Sequence, residues 1–348
     1  MTPISKLKIK PLILLVTLLF MITLMIPSLL VLPFTKDTAS GKLGEHLKGE
    51  NRQVETIEAA AGPAVDVAVF RMEKKEIEKL PLEKYVVGVV ASEMPRDFEK
   101  EALKAQALTA RTYIVNQMLK ENKTELPGGA IVTDTENHQV YKSDEELKKI
   151  FGMDYKWAIK KITEAVNETR GQIITYDGSP IEASFFSTSN GFTENSEAIW
   201  ISALPYLKSV ESPWDLQSPK FGGQKIVTIS EFEEKLGVKL PNDETVGKVT
   251  ERTAGKRVGK VEINGKVFDG KDIREKLGLK STDFIWERKG DKIIINTKGY
   301  GHGVGMSQYG ANGMAAEGKT YKDIIYHYYK GVEITNSETI LTKIIAQK

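Results

Sequence analysis

Cysteine is absent from the 348 residues, which excludes disulfides, a thiolate nucleophile and any cysteine-ligated zinc. An excess of one charge is missing too. The 49 basic and 47 acidic residues leave a formal net charge of +2, not the strongly basic balance that marks a nucleic-acid partner. Histidine is scarce, with 4 in the chain. His46 falls in a polar stretch and His327 in a tyrosine-rich helical segment, while His138 and His302 have no H-E-x-x-H spacing. No repeat of fixed period occurs. What remains is an ordinary globular composition, 41% apolar and 28% charged, which excludes disorder and a multi-span membrane protein. The chain is long enough to rest on its core alone.

One long apolar run stands out. Residues 11–34 (PLILLVTLLFMITLMIPSLLVLPF) carry no charge, and about 20 apolar residues cross a bilayer core. Lys6, Lys8 and Lys10 precede the run and no small-residue cleavage pattern follows it. The expectation is an uncleaved, single-pass signal anchor in the cell membrane, with residues 1–10 cytoplasmic and the body outside. Residues 35–64 are small and polar without apolar period, and read as a tether.

The body reads as α+β, rich in helices at its front. VDVAVF from Val65 alternates like a strand; Pro81 opens a helix that ends at Pro95. Leu103, Ala107, Ala110, Ile114 and Met118 mark a second helix. A loop from Gly128 leads into DTENHQVY, and one charged helix is expected from Asp144 to Glu168. Strand-like QIITYDG and IEASFFSTSNG follow. Residues 224–287 read as a small inserted α+β subdomain, with Asn264-Gly265 suited to a type I′ turn and Asp272 placed to cap a helix. A last helix starts near Thr320, and residues 336–348 read as a tail.

Three places carry candidate chemistry. Glu93 ends an apolar helix just before Pro95; partial desolvation there would raise its pKa and leave a usable general acid. Spacing alone favours the plainer reading, a solvent-facing glutamate. In GYGHGVGMSQYG (299–310) the glycines permit close backbone approach, with His302, Ser307, Gln308 and Tyr309 at the entry of a helix. This is neither a dinucleotide fingerprint, a P-loop nor a nucleophile elbow. Its polar and aromatic density favours a site over a packing turn. Ser189 and Asn190 lie in FFSTSNGFT, with YLKSVESPWD after it, a mixture of stacking faces and hydrogen-bonding edges that a sugar cleft uses and that ordinary turns share.

Together VVGVVASEMP, EALKAQALTARTYIV, HQVY, FFSTSNGFTENSE, YLKSV and GYGHGVGMSQYGANGMA resemble, in order, the stage II sporulation protein D family, which includes amidase enhancers; the resemblance covers residues 65–335. It implies a lytic transglycosylase cleaving peptidoglycan glycan strands during engulfment, with the glutamate of S-E-M-P, here Glu93, as acid/base. It places Arg111, Tyr206, Lys208, His302, Gln308 and Tyr309 around the cleft as substrate-binding residues. It also implies glycan stripped of stem peptides as substrate, with a sporulation amidase and a membrane scaffold protein as partners. Some members hold zinc by a cysteine and a histidine in the loop that here reads Thr133–His138; without the cysteine no metal or other cofactor is expected. The competing reading is a wall-binding activator of an amidase that does no chemistry.

Overall fold

The computed structural model describes residues 65–120 and 126–346; the expected anchor and tether, residues 11–64, lie outside them. Among the described residues no helix is long and apolar enough to cross a membrane.

The chain opens with β1 (Asp66–Arg71) and β2 (Glu76–Pro81), an antiparallel pair in which Asp66 faces Pro81. Pro81 then serves twice, as the end of β2 and as the cap of α1 (Leu82–Glu93), where its missing N–H costs nothing. The apolar helix α1 buries Val86, Val89 and Val90 completely, each contributing about 1.5–3 kcal/mol of burial. It packs against α2 (Lys100–Leu119). The two-residue β3 (Val132–Thr133) runs parallel to β1.

The charged segment expected as one helix is two, α3 (Asp144–Phe151) and α4 (Tyr155–Glu168). Gly152 breaks it, with φ +55° at the end of α3, a conformation that glycine alone adopts freely. A capping box between Ser143 and Glu146 starts α3. Then come β4 (Gln172–Tyr176), β5 (Ser179–Pro180) and β6 (Phe185–Phe186). Only those two phenylalanines of the expected strand IEASFFSTSNG are strand.

Around the expected insert, residues 224–287, the elements of a second apolar cluster run from 222 to 298. They are β7 (Gly222–Thr228), α5 (Ile229–Leu236), β8 (Lys248–Arg252), β9 (Val258–Ile263), β10 (Lys266–Asp269), α6 (Gly270–Leu277), β11 (Phe284–Lys289) and β12 (Lys292–Lys298). Two three-stranded sheets, in the orders β10-β9-β8 and β11-β12-β7, enclose a core of their own from Val227 to Ile295. The segment KIIINTK, beyond the expected end of the insert at residue 287, is the central strand β12, paired on both sides. Asn264 and Gly265 both have positive φ, as the hairpin turn requires. Asp272 does not cap α6; Asp269 stands at that position and Asp272 lies in the first turn.

The body resumes with β13 (Met306–Ser307), parallel to β6, then α7 (Gln308–Ala316), α8 (Tyr321–Tyr328), β14 (Glu333–Asn336) and α9 (Glu338–Ala346). The expected tail therefore folds: α9 buries Leu341 and Ile344 against the main core.

Candidate active site

Glu93 is the last residue of α1, and what holds it is a close crossing one turn or so earlier. A Cβ on Gly88 would stand 2.4 Å from the Tyr141 ring. Glycine thus lets Tyr141 lie against the helix, stacked on Tyr85 at 5.6 Å between ring centres. That crossing carries the preceding residues over the helix end, where the Val140 N–H donates to Glu93 Oε1 at 3.0 Å. The same loop is fastened at its start by Arg71, fully buried and ion-paired to Asp134, Glu78 and Glu146. From the other side the Gln308 amide donates to the main-chain carbonyl of Glu93 at 3.1 Å.

Glu93 opens into a cleft of about 480 Å³ whose wall also includes Glu136, His138, Ser187, Lys220, Arg274, Tyr300, His302 and Gln308. Burial pushes the Glu93 carboxyl up to about 7, and the Glu136 charge adds to the shift. The Val140 hydrogen bond and the nearby Gln308 side-chain amide act against it. His302 moves the other way. Burial, and after it the nearby Arg274 and Arg257 guanidiniums, hold it down to about 4. The Val304 N–H donates to His302 Nδ1 at 3.1 Å, so the neutral ring carries its proton on Nε2.

The glycine-rich turn and the FFSTSNG segment, far apart in sequence, run side by side. Tyr300 and Thr188 exchange both main-chain hydrogen bonds, at 2.7 and 3.0 Å, and the Glu194 N–H donates to the Gly303 carbonyl at 2.7 Å. The glycines admit protein rather than ligand. At Gly303 (φ +90°) a Cβ would lie 2.6 Å from Arg257 Cζ. Arg257, from the loop between β8 and β9, is buried under that turn, 3.9 Å from Glu194. Glu194 also accepts from the Asn195 and Gly255 N–H groups, at 3.0 and 3.1 Å, and from the Thr253 hydroxyl. The insert is thereby bolted beneath the turn that carries His302.

Of the other residues expected in the cleft, Gln308 lines it and Tyr309 stands at its edge, edge-on to Phe98 and with the Lys220 ammonium 5.7 Å from its ring. The rest lie elsewhere. Arg111 is wholly buried and binds Glu83 through Nε and Nη2, at 2.9 and 2.6 Å, so its charge is spent inside the core. Tyr206 is buried on Tyr176, and its hydroxyl accepts from the Glu182 N–H. Lys208 pairs with Glu197 at the surface. Ser189 donates to buried Asp215 at 2.8 Å. Asp215 also takes the hydroxyls of Ser212 (2.5 Å) and Ser307 (2.6 Å), and burial pushes its carboxyl up against those bonds. Ser307 in turn caps α7 by accepting from the Gly310 N–H. Asn190 faces a different cavity, of about 830 Å³ between body and insert, where its amide donates to Asp283.

Residue reading missed Glu136, Lys220 and Arg274. Glu136 sits in DTENHQVY, two residues before His138. Nothing local marks the two cations. The Thr133–His138 loop does not fit a cysteine–histidine zinc, because the chain has no cysteine; the Thr133 hydroxyl lies 2.9 Å from His138 Nδ1. Among the described residues no three His, Asp or Glu side chains converge as metal ligands.

The family model described as "Stage II sporulation protein" matches residues 71–176, which hold Glu93, Glu136 and His138. The chain is 53% identical over 331 residues to the stage II sporulation protein D of Bacillus subtilis (strain 168), covering 93% of this chain and 96% of that one. It is 51% identical over 346 residues to the protein of the same name from Bacillus amyloliquefaciens, covering 97% and 100%. The amidase enhancer of Bacillus subtilis (strain 168) is 29% identical over 306 residues, 72% of this chain and 40% of its own. With about half of its residues shared along nearly the whole of two relatives, the chain belongs to the stage II sporulation protein D family of sporulation proteins.

Proposed function

We propose that this protein is a peptidoglycan lytic transglycosylase, held in the cell membrane by residues 11–34 with its body on the outer side, and that Glu93 is its acid/base. One observation carries the reading: a carboxyl at the end of an apolar helix, opening into a cleft, with its pKa raised to about 7. A group so poised is protonated often enough to give a proton and ionised often enough to take one back. The reaction needs both. Glu93 protonates the glycosidic oxygen as the bond from the muramic-acid C1 to that oxygen breaks. The sugar's own 6-hydroxyl then closes on C1 and its proton returns to Glu93. No water is consumed, so the product ends in 1,6-anhydromuramic acid and a single carboxyl suffices. His302, neutral across this range, serves as a hydrogen-bonding wall. The substrate in this reading is glycan stripped of its stem peptides, supplied by a partner amidase and met beside a membrane scaffold protein.

Two observations favour other readings. Glu136 lies in the same cleft, and a pair of carboxylates is what a hydrolase uses. Likeness to an amidase enhancer favours an activator without chemistry. A single experiment separates them. Full-length protein and its Glu93→Gln variant are incubated with peptide-free glycan strands, and the products are weighed. Products one water lighter than hydrolytic ones, lost in the variant, are expected. Full-mass products lost on Glu136→Gln mean a hydrolase. No products, with amidase stimulation retained in Glu93→Gln, mean the activator.

A further inference from the structure

The inserted subdomain contributes one residue to the Glu93 cleft, and that residue lacks a partner. Arg274 lies on α6, in the cleft wall with His302 and Tyr300. The fully buried arginines elsewhere, Arg71, Arg111 and Arg257, each have a carboxylate within ion-pair distance. Arg274 has none among the described residues, and its Nε is buried with no hydrogen bond. Desolvation accordingly weighs against its charge. A half-buried guanidinium presents a planar fork suited to a carboxylate, and one left empty is costly unless something binds it. Lys220, in the same wall, adds a second positive charge; its ammonium sits 5.8 Å from the Tyr300 ring centre.

We propose that Arg274 forms, with Lys220, a carboxylate-binding site inside the Glu93 cleft, and that its ligand is the lactyl carboxylate of muramic acid. This rests on the glycan reading above and goes beyond it: a residue of the insert, with one of the body beside it, reads the substrate's anion. In a peptide-stripped strand the lactyl ether ends in a free carboxylate, the only charge on the glycan backbone. In a strand still bearing its stem the same carbon is an uncharged amide, which offers a guanidinium no ion pair. Selection of stripped strands then depends on Arg274, a residue delivered by another subdomain.

The test measures binding to full-length protein carrying Glu93→Gln, so that no turnover intervenes. Two glycan oligomers of equal length are compared, one with free lactyl carboxylates and one with these converted to methyl esters. A preference of about ten- to a hundredfold for the free acid is expected, the range for a charge-assisted hydrogen bond. Arg274→Ala removes the preference, and Arg274→Lys, which keeps the charge without the fork, restores part of it. Unchanged affinity for the ester reports that the variants are folded. A preference that survives Arg274→Ala overturns the proposal while leaving the glycan reading intact. Failure of both oligomers to bind protein with Arg274 in place overturns the glycan reading and the proposal with it. Displacement by a poly(glycerol phosphate) oligomer in preference to the free-acid glycan, dependent on Arg274, assigns the site to phosphate and also overturns it.

Discussion

The body and the insert treat buried charge in opposite ways. Inside the body each buried arginine is answered within the body: Arg71 by three carboxylates and Arg111 by Glu83 and two main-chain carbonyls. The insert sends its two out. Arg257 leaves the β8–β9 loop for Glu194 and the underside of Gly303, and Arg274 leaves α6 for the cleft; both keep a buried Nε without a partner. A subdomain that folds about its own apolar core but exports its cations is completed by what it docks against. In the proposed mechanism the body makes the acid, by ending an apolar helix at Glu93, while the insert supplies Arg274 to the cleft wall and props the His302 turn with Arg257.

The largest effect that would break this division falls on Glu93. Glu93→Gln removes a proton donor worth about 10²–10⁴ in rate, so glycan cleavage is expected to fall about a thousandfold or more, measured by release of anhydro-ended products. Next is the bolt between the two parts. Arg257→Ala strips Glu194 of its buried countercharge, and removal of one member of such a pair costs about 3–5 kcal/mol. Urea unfolding is expected to show a loss of that order, whereas an insert standing independently of the body would lose almost nothing.

A smaller effect sharpens the body's side, and its sign follows from linkage. The folded pKa of Glu93, about 7, lies above its ordinary 4.5, so the folded state holds the proton more tightly. Stability is undiminished below pH 4.5, falls as pH rises toward 7, and stays lowered above it. Glu93→Gln escapes that loss. The variant is expected to be more stable than wild type at pH 8, by about 3 kcal/mol, with the gain shrinking as pH falls from 7 and gone below about 4.5 in paired denaturation curves. The smallest effect is at the surface. Lys208→Ala breaks an exposed pair with Glu197 and is expected to shift stability by under about 0.5 kcal/mol, leaving cleavage unchanged because Lys208 does not face the cleft.

Local signals made much of this architecture legible. Proline at both ends of α1, a helical apolar period in α2 and the Asn264-Gly265 hairpin are each written in one short stretch of sequence. Features decided by distant partners were not. The strand EIEKLP has no alternation of its own and exists because β1 pairs with it. The IIIN of β12 is a run that either a body strand or an insert strand fits, and only its pairing with β7 and β11 decides. The site divides in the same manner. Glu93, His302 and Gln308 are marked by their motifs, but a motif does not say which side of the backbone a side chain takes. Arg111 and Tyr206 point into the core, Ser189 into the Asp215 cluster. Lys220 and Arg274 reach the cleft from regions about 130 and 180 residues from Glu93, brought there by tertiary packing alone.

The proposed chemistry turns on the ionisation of one carboxyl. With glutamate side chains labelled at the carboxyl carbon, the titration of Glu93 in the intact protein is followed by NMR, the signal assigned by its loss in Glu93→Gln. A midpoint near 7, falling when Glu136→Gln removes the neighbouring charge, is the predicted result. A midpoint near 4.5, unmoved by Glu136→Gln, would contradict it, for a carboxylate ionised throughout the neutral range has no proton to give a glycosidic oxygen.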